Sequence, residues 1–383
     1  MKRIIFTAII SILFSEAVAF SVQDDRLILE QIGVKRGICV LAGDGDCRNA
    51  VKLAHKSELL IYVQLADEEE VEMARKAAAD AGLYGKRIFV EKGELKRLHL
   101  AENVADAVVV LKGVKFSEKE ALRVLRPGGK AILGGRVLSK PFPKGVDAWT
   151  HPHHGPDNNP QSSDEIILAP YLTQFFAEPW YCPMPQLTVT SNGCVFKAFG
   201  SRAFKRPQWP MLNTLIAMNA YNGTILWKRK LDPDFMIHRN TMIATPETLY
   251  LADAESCKLF DTATGELKDE IKVPAGVGDG PVWKWMALKD GVLYAMVGEK
   301  EPPGEALQGE DFRGAGWPWW KIPKYEWGFG RTILAMDLSS RKILWHHREE
   351  EKLDTRAMCM NDRQIFFNSL GKMLGVLMRR RGR

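Results

Sequence analysis

The sequence predicts an α/β domain with a parallel sheet, followed by an all-β domain built from repeated hairpins. Three observations carry this prediction. Short apolar runs alternate with segments of helical periodicity between residues 37 and 135. Helical periodicity disappears after Ser139, where proline, glycine and tryptophan become frequent. Beyond that point a hairpin pattern recurs after 42 residues, which is the length of one four-stranded propeller blade.

The amino terminus has the three parts of a secretory signal peptide. Lys2 and Arg3 precede an apolar run over residues 4–14, and Ala17-Val18-Ala19 has the small-x-small pattern of a cleavage site. The run is shorter than the roughly 20 residues that a membrane-spanning helix needs, which disfavours the alternative of a membrane anchor. We therefore predict a signal peptide over residues 1–19 and a periplasmic or secreted protein.

The predicted α/β domain covers residues 20–140. Its buried strands are expected at residues 38–41, 59–65, 87–90, 107–111 and 131–133. Helix formers occupy residues 69–81, and Ser117 to Glu120 form a capping box that begins a helix ending at Leu125. Strands that alternate with helices form a parallel sheet covered on both faces, and ligands bind beyond the carboxyl ends of such strands.

Two segments of this domain resemble class I S-adenosylmethionine-dependent methyltransferases. Residues 40–47 look like the glycine loop after the first strand of that family, and residues 121–129 look like its turn between a helix and the following strand. The resemblance implies a Rossmann-like fold. It also implies that Gly43 and Gly45 approach S-adenosylmethionine closely, and that an acidic residue near the end of the second strand binds its ribose. Asp67 is the candidate for that acid.

The sequence departs from the methyltransferase pattern at several positions. Cys47 stands where the loop of the family has its third glycine. The ribose-binding acid would fall near Leu65, and Asp67 lies about two residues beyond that position. The pattern also stops after five predicted strands, where the family has seven, and export would remove the domain from cytoplasmic S-adenosylmethionine. These departures favour a degenerate methyltransferase-like domain, with a working methyltransferase as the alternative.

The second predicted domain covers residues 141–383 and contains an internal repeat. The segment Ala217 to Trp227 recurs as Ala335 to Trp345, and a weaker copy spans Leu259 to Leu267. Each copy has an apolar strand, an Asn or Asp, a tight turn that is usually closed by glycine, and a second apolar strand. The repeat predicts a β-propeller with three complete copies.

The spacing of the copies also predicts an insertion and a fourth, unfinished copy. The interval from Asp261 to Asp337 is 76 residues, which fits one blade plus an insertion at about residues 301–330. The same register places Met378 and Gly382 in a fourth copy. We therefore expect the chain to stop inside a blade, as a fragment of a larger propeller would.

The repeat resembles that of quinoprotein-like β-propellers, which are named for the pyrroloquinoline quinone alcohol dehydrogenases. The copies that contain Trp227 and Trp345 are the most specific part of the likeness. The resemblance implies that the tryptophan packs between neighbouring blades and that the acidic residue and glycine shape the turn. Alcohol-oxidising members share an adjacent pair of cysteines, and this sequence has no adjacent cysteines. Pyrroloquinoline quinone is therefore a possible cofactor without an intact site.

Two further clusters are candidate sites with ordinary structural alternatives. Residues 147–159 contain three of the eight histidines, which could bind a metal ion, although such an irregular segment is also expected to pack across the base of a propeller. Residues 317–320, Tyr325 and Trp327 form the densest aromatic cluster. These rings could stack on a sugar or a planar cofactor, or they could bury themselves on a blade.

The formal net charge of +6 does not predict a nucleic-acid-binding surface. Five of these charges lie at the two termini, four of them on Arg379 and the arginines at 380, 381 and 383. We interpret these four as the end of a fragment or of a broken reading frame, because a blade turn is expected there. The nearly neutral remainder lacks the basic face that phosphate binding requires.

The predicted function follows from the missing catalytic and metal-binding patterns and from the two family resemblances. No catalytic constellation or metal-ligand spacing is recognisable, and the six cysteines are expected to be mostly buried free thiols. The favoured function is an exported binding or assembly scaffold that takes a protein or carbohydrate ligand on the propeller face. A pyrroloquinoline quinone-dependent oxidoreductase and an S-adenosylmethionine-dependent methyltransferase are the alternatives.

Overall fold

The computed structural model describes most of the chain between residues 25 and 379. The gaps are residues 168, 170–172, 184, 201, 204, 232–239, 254, 301–306, 309–327 and 370–373. The predicted signal peptide, the aromatic cluster at residues 317–327 and Gly382 therefore lie outside the described residues, as does most of the predicted insertion.

The first domain is a six-stranded sheet with helices on both faces. In chain order its elements are α1 (Asp25–Ile32), β1 (Arg36–Ala42), α2 (Arg48–Lys56), β2 (Glu58–Leu65), α3 (Glu68–Asp80), β3 (Ile88–Lys92), β4 (Ala105–Val110), α4 (Glu118–Val124), β5 (Leu125–Leu133) and β6 (Arg136–Ser139). The spatial order is β3-β2-β1-β4-β5-β6, and only β6 runs antiparallel to its neighbour. All five predicted strands are confirmed.

The strands are apolar on both sides because both faces of the sheet are covered. One face packs on α1, α2 and α3 through a core that includes Leu41, Ile61 and Val109. The other face packs on α4 and on the segment after β3, with Val40 and Val108 in its core. Half of the predicted capping box is present: Ser117 Oγ accepts a hydrogen bond from the Glu120 backbone amide. The Glu120 carboxylate accepts instead from the Leu98 amide and from Arg123.

Apart from one short parallel pair, the second domain consists of antiparallel sheets in the arrangement of propeller blades. Its strands are β7 (Pro185–Ser191), β8 (Cys194–Phe199), β9 (Arg202–Ala203), β10 (Thr214–Asn219), β11 (Ile225–Lys230), β12 (Met242–Ala244), β13 (Thr248–Ala252), β14 (Cys257–Asp261), β15 (Leu267–Ile271), β16 (Val282–Lys289), β17 (Val292–Gly298), β18 (Leu307–Gln308), β19 (Phe329–Asp337), β20 (Ile343–Asp354), β21 (Cys359–Met360), β22 (Gln364–Asn368) and β23 (Leu374–Met378). Short 3₁₀ helices span Arg206–Met211 and Thr355–Ala357.

These strands form four successive blades. Blade 1 contains β7, β8, β10 and β11, blade 2 contains β12 to β15, and blade 3 contains β16, β17, β19 and β20. Blade 4 has the three strands β21 to β23 within the described residues. The connection between β8 and β10 of blade 1 contains β9, and the connection between β17 and β19 of blade 3 contains β18. These two short strands pair with each other. The fold is therefore an α/β Rossmann-like domain followed by an all-β domain of propeller blades, as the sequence predicts.

The repeated residues occupy equivalent positions in blades 1 to 3. Asn219, Asp261 and Asp337 each end the third strand of their blade. Four residues later the backbone takes positive φ angles of 72°, 69° and 60°, at Gly223, Gly265 and Arg341 respectively. In each copy that residue donates its amide to the carbonyl of the Asn or Asp. The turn is thus conserved in shape even where arginine replaces glycine.

The side chains between blades follow the same register. Trp227 of blade 1 donates its indole N–H to the Thr262 carbonyl of blade 2 at 2.9 Å. A Cβ atom at Gly265 would lie 2.5 Å from the Trp227 ring, so glycine is required beneath the tryptophan. At the next junction Asp269 replaces the tryptophan and pairs with Arg341, which replaces the glycine, at 2.6 Å. An ion pair thus substitutes for the Trp–Gly contact.

The junction between blades 3 and 4 corrects our interpretation of Arg379. Trp345 donates its indole N–H to the Arg379 carbonyl at 2.9 Å, which is the contact made by the tryptophan of blade 1. The Arg379 side chain is buried and pairs with Asp290 at 2.6 Å. Its charge therefore belongs to the packing between blades and not to a terminal basic tail. The six cysteines are unpaired, and three of them are fully buried.

The two domains meet at the amino-terminal edge of the parallel sheet. Asp106, near the start of β4, is 2% exposed. Its Oδ1 accepts from Asn219 Nδ2 at 2.7 Å, and its Oδ2 accepts from Asn222 Nδ2 at 2.9 Å. Arg126 Nε completes the cluster at 2.6 Å from Oδ1. Because both asparagines lie in the first repeat turn, the propeller is attached at the edge opposite to the glycine loop.

Candidate functional site

The glycine loop follows β1 at the carboxyl edge of the sheet, where a ligand of an α/β domain is expected. Asp44, between the two glycines, is 1% exposed and turns inward. Its Oδ1 accepts from Asn49 Nδ2 at 2.9 Å, and its Oδ2 accepts from the Ala50 amide at 2.8 Å. These bonds satisfy donors in the first turn of α2, which would otherwise be available to an anionic ligand.

Burial controls the ionisation of the side chains in this loop. Desolvation raises the pKa of the Asp44 carboxyl above its ordinary value, against the opposing effect of the Asn49 hydrogen bond. Burial also raises the pKa of the Cys47 thiol to about 12, with Asp44 adding to the shift. A thiol with this pKa stays protonated at neutral pH and is a poor nucleophile. Cys47 is therefore a packing residue.

Both glycines are in close contact with side chains from other elements. Gly43 has a φ of 87°, and a Cβ atom at this position would lie 2.2 Å from Val114 Cγ2. A Cβ atom at Gly45 would lie 3.0 Å from the carboxyl carbon of Glu70. The space that glycine leaves for a cofactor is thus occupied by the protein's own side chains.

Asp67 caps a helix in this structure. Its carboxylate accepts from the Glu70 amide at 3.0 Å and begins α3. Leu65, at the position expected for the acid, is 2% exposed and belongs to the core. The structure therefore brings Gly45 next to the first turn of α3 through Glu70, while Asp67 is used for the helix cap itself. The sequence pattern alone did not identify Val114 or Glu70.

The histidine-rich segment crosses the blades, as the structural alternative predicts. The Trp149 carbonyl accepts from Thr190 in β7, and the Thr150 carbonyl accepts from Ala244 in β12. His151 Nε2 accepts from the Leu288 amide in β16 at 3.1 Å. Further along, Asn158 Nδ2 donates to the carbonyl preceding β21 at 2.7 Å. One segment therefore contacts the first strand or its approach in all four blades.

The histidines of this segment are engaged in structural contacts. Burial lowers the pKa of His151 to about 4, so that the ring is neutral when it accepts the Leu288 amide. His154 Nε2 lies 2.6 Å from Asp147 Oδ2, and its ring packs edge-on against Trp149. Within the described parts of the chain, no group of three or more His, Cys, Asp and Glu side chains is placed to hold a metal ion.

A buried glutamine organises another part of the carboxyl edge. Gln64, at the end of β2, is fully buried. Its Nε2 donates to the carbonyls of Glu94 and Arg97 at 2.8 and 3.0 Å, and its Oε1 accepts from the Tyr62 hydroxyl and the His99 amide, each at 2.9 Å. All four hydrogen-bonding positions of the amide are used. The sequence analysis missed this residue.

Comparisons with known proteins found similar solved structures but no match among protein families. The sequence matches no protein-family profile, and no curated protein matches it. Among solved structures, a putative S-adenosyl-L-methionine-dependent methyltransferase from Methanococcus maripaludis shares 29% identity over 28% of this chain and 51% of its own, with a TM-score of 0.27. A SAM-dependent methyltransferase from Aquifex aeolicus shares 23% identity over 28% and 61% of the two chains, with a TM-score of 0.26.

Another solved structure matches a larger share of the chain. BamB from Moraxella catarrhalis shares 12% identity over 51% of this chain and 49% of its own, with a TM-score of 0.32. This chain thus spans about half the length of the solved structures it matches. The fold class itself follows from the strand order and the four blades described above.

Proposed function

We propose that this protein is an exported binding or assembly scaffold, in which a methyltransferase-like domain supports the first blade of a propeller and does not bind S-adenosylmethionine. One observation carries the proposal: the glycine loop is filled by the protein's own side chains. Val114 lies against Gly43, Glu70 lies against Gly45, and Asp44 caps α2 from within the loop. The residues present therefore do not fit the cofactor that the resemblance implies.

The domain interface supports the scaffold function. Both carboxylate oxygens of Asp106 accept hydrogen bonds, and the donors include Asn219 and Asn222 of the first repeat turn. The repeat residues in turn shape the blades and their junctions, as Trp227 does. A scaffold of this kind would use the propeller face for a protein or carbohydrate ligand. Residues in the repeat supply architecture, so the ligand would be read by side chains outside it.

Export is the second part of the proposal, and it rests on the first 19 residues of the sequence. The basic pair, the apolar run and the Ala17-Val18-Ala19 site favour cleavage and release into the periplasm or the medium. No helix among the described residues is both long and apolar enough to cross a membrane. Export and the filled glycine loop are consistent, because an exported domain has little use for a cytoplasmic cofactor.

Isothermal titration calorimetry of the purified protein with S-adenosylmethionine tests the proposal. We expect no saturable heat at ligand concentrations up to about 1 mM. Only a ligand with a binding free energy weaker than about −4 kcal/mol would remain undetected at that concentration. A Val114→Ala variant removes the side chain that lies against Gly43 and tests whether Val114 alone excludes the cofactor. This variant should also bind no S-adenosylmethionine, because Glu70 and Asp44 remain in place. Saturable binding to the unmodified protein at micromolar concentrations would overturn the proposal.

A further inference from the structure

A groove of about 580 Å³ lies at the carboxyl edge of the parallel sheet, outside the glycine loop. It is lined by Glu94, Lys96, Arg97 and His99, all in the segment that follows β3. We propose that this groove binds the phosphate or carboxylate group of a small anionic ligand. The proposal goes beyond the scaffold function, because it assigns a ligand site to the α/β domain rather than to the propeller.

The position of the groove fits a ligand site of an α/β domain. Ligands of open parallel sheets bind beyond the carboxyl ends of the strands, and β3 ends at Lys92 immediately before the groove. At the β1 end of the same edge, Val114 and Glu70 occupy the space beside the glycine loop. The groove volume falls within the range of small-molecule sites, which is about 300–1,000 Å³.

The groove segment is held in place by buried polar groups from two other elements. Gln64 of β2 makes hydrogen bonds to the backbone at Glu94, Arg97 and His99. From α4, Glu120 accepts the Leu98 amide at 2.7 Å. Buried polar groups destabilise the fold unless each of them has a hydrogen-bond partner. Here they fix the backbone that carries the exposed Lys96, Arg97 and His99 side chains.

A second anchor comes from Arg123, the ion-pair partner of Glu120. Arg123 donates to the Leu98 and Leu100 carbonyls at 3.1 and 2.9 Å, and it pairs with Glu120 at 2.7 Å. The segment is thus tied at both ends of the 94–100 range. A site whose cations are presented from a fixed backbone loses less conformational entropy on binding than one on a free loop.

The cations of the groove differ from their neighbours in making no direct ion pair within the described residues, although Arg97 is close enough to Glu120 to help lower the pKa of that carboxyl. Lys92, just before the groove, pairs with Glu68, and Arg123 pairs with Glu120. Among the residues that the structure describes, neither Lys96 nor Arg97 makes a side-chain hydrogen bond or an ion pair. The Glu120 carboxylate is hydrogen-bonded to Arg123, so the N–H groups of Arg97 and the ammonium group of Lys96 remain available to a ligand.

The side chains of the groove select the chemistry of that ligand. The Arg97 guanidinium presents a planar fork that matches two oxygens of a phosphate or carboxylate, and Lys96 adds a compact positive charge. His99 supplies an imidazole that donates to an oxyanion. Glu94 is the single acid in the lining, and it would accept from a hydroxyl or amine on the same ligand. The lining thus fits a polar molecule with one anionic group.

Calorimetric titration of the purified protein with inorganic pyrophosphate and, separately, with citrate tests this proposal at an ionic strength of about 0.1 M, where the Debye length is about 10 Å. We expect saturable binding of at least one of the two, with a dissociation constant below about 1 mM. The two arms distinguish a phosphate site from a carboxylate site. An Arg97→Gln variant should weaken the binding at least about tenfold, because it removes the charged fork.

The matched control is Lys86→Gln, which removes an exposed cation before β3, away from the groove lining. It should change the affinity by less than about twofold, since exposed charges separated by more than a Debye length are largely screened. Three outcomes would overturn the proposal: no saturable binding of either probe, equal affinity for Arg97→Gln and the unmodified protein, or an equal loss in both variants.

Discussion

The two edges of the parallel sheet use buried polar side chains for different purposes. At the amino edge, the Asp106 carboxylate crosses the domain boundary and binds two asparagines of the propeller. At the carboxyl edge, the Gln64 amide binds the backbone of its own domain and fixes a segment that carries Lys96 and Arg97. Both side chains are at least 98% buried, yet one joins domains and the other shapes a surface.

The amino edge therefore serves to join the domains, whereas the carboxyl edge presents a surface that is available to a ligand. A carboxylate that satisfies donors from both domains fixes how the domains are joined, and it leaves no charge for a ligand. A neutral amide that satisfies backbone groups adds no charge that would pair with the neighbouring cations. We therefore expect changes at the amino edge to act on stability and domain coupling, and changes at the carboxyl edge to act on binding as well.

The largest effect is expected for Asp106→Ala. The substitution leaves Arg126, Asn219 and Asn222 without their shared acceptor in a buried interface. Removal of one partner from a buried charge pair typically costs about 3–5 kcal/mol. Urea unfolding, followed by tryptophan fluorescence and by far-ultraviolet circular dichroism, should show this loss and a separation of the two transitions.

Two variants control for that experiment. Asp80→Ala removes an exposed carboxylate at the end of α3 and should leave the unfolding free energy unchanged within about 0.5 kcal/mol. Asn222→Ala removes one donor to Asp106 and one to the Val104 carbonyl, and it serves as a milder probe if Asp106→Ala does not fold. Wild-type stability and a single transition in both interface variants would contradict the role of Asp106.

A smaller effect, but on two properties, is expected for Gln64→Leu. Leucine cannot satisfy the Glu94 and Arg97 carbonyls or the His99 amide, so the loss should be about 2–3 kcal/mol, as for buried groups left unsatisfied. The groove segment should also loosen, which would weaken pyrophosphate binding although Gln64 touches no ligand. Calorimetry at a temperature where the variant remains folded measures this. Unchanged affinity despite lower stability would mean that Gln64 has no positioning role.

The fold could be predicted where the sequence repeats or alternates with a clear period. Each of the five parallel strands contains a short apolar run, and the blade turns share the Asn or Asp and a residue of positive φ four positions later. The replacement of tryptophan by Asp269 and of glycine by Arg341 could also have been found by aligning the copies. Each of these features is local, so that neighbouring residues specify it.

The contents of the glycine loop could not be predicted in the same way. The sequence located Gly43 and Gly45, but Val114, which fills the space beside Gly43, lies far away along the chain. Gln64 gave no signal, because one glutamine in a strand is typical of a solvated position, and only the fold shows that it is buried. Packing between distant segments, rather than local pattern, decides whether such a loop can hold a ligand.

The smallest effect is expected for Glu120→Gln, and it depends on pH. The hydrogen bond from Arg123 holds the pKa of Glu120 below its ordinary value of about 4.5. A carboxyl whose pKa is lower in the folded protein stabilises the fold above its unfolded pKa, and this contribution disappears as the pH falls through the folded pKa. The variant should therefore be less stable than the unmodified protein by about 1–2 kcal/mol at pH 7. Urea unfolding measures the difference in unfolding free energy between the variant and the unmodified protein. This difference should decrease as the pH is lowered below about 4.5, the ordinary pKa of this group. A difference that stays constant down to pH 3 would show that Glu120 acts through packing and not through its charge.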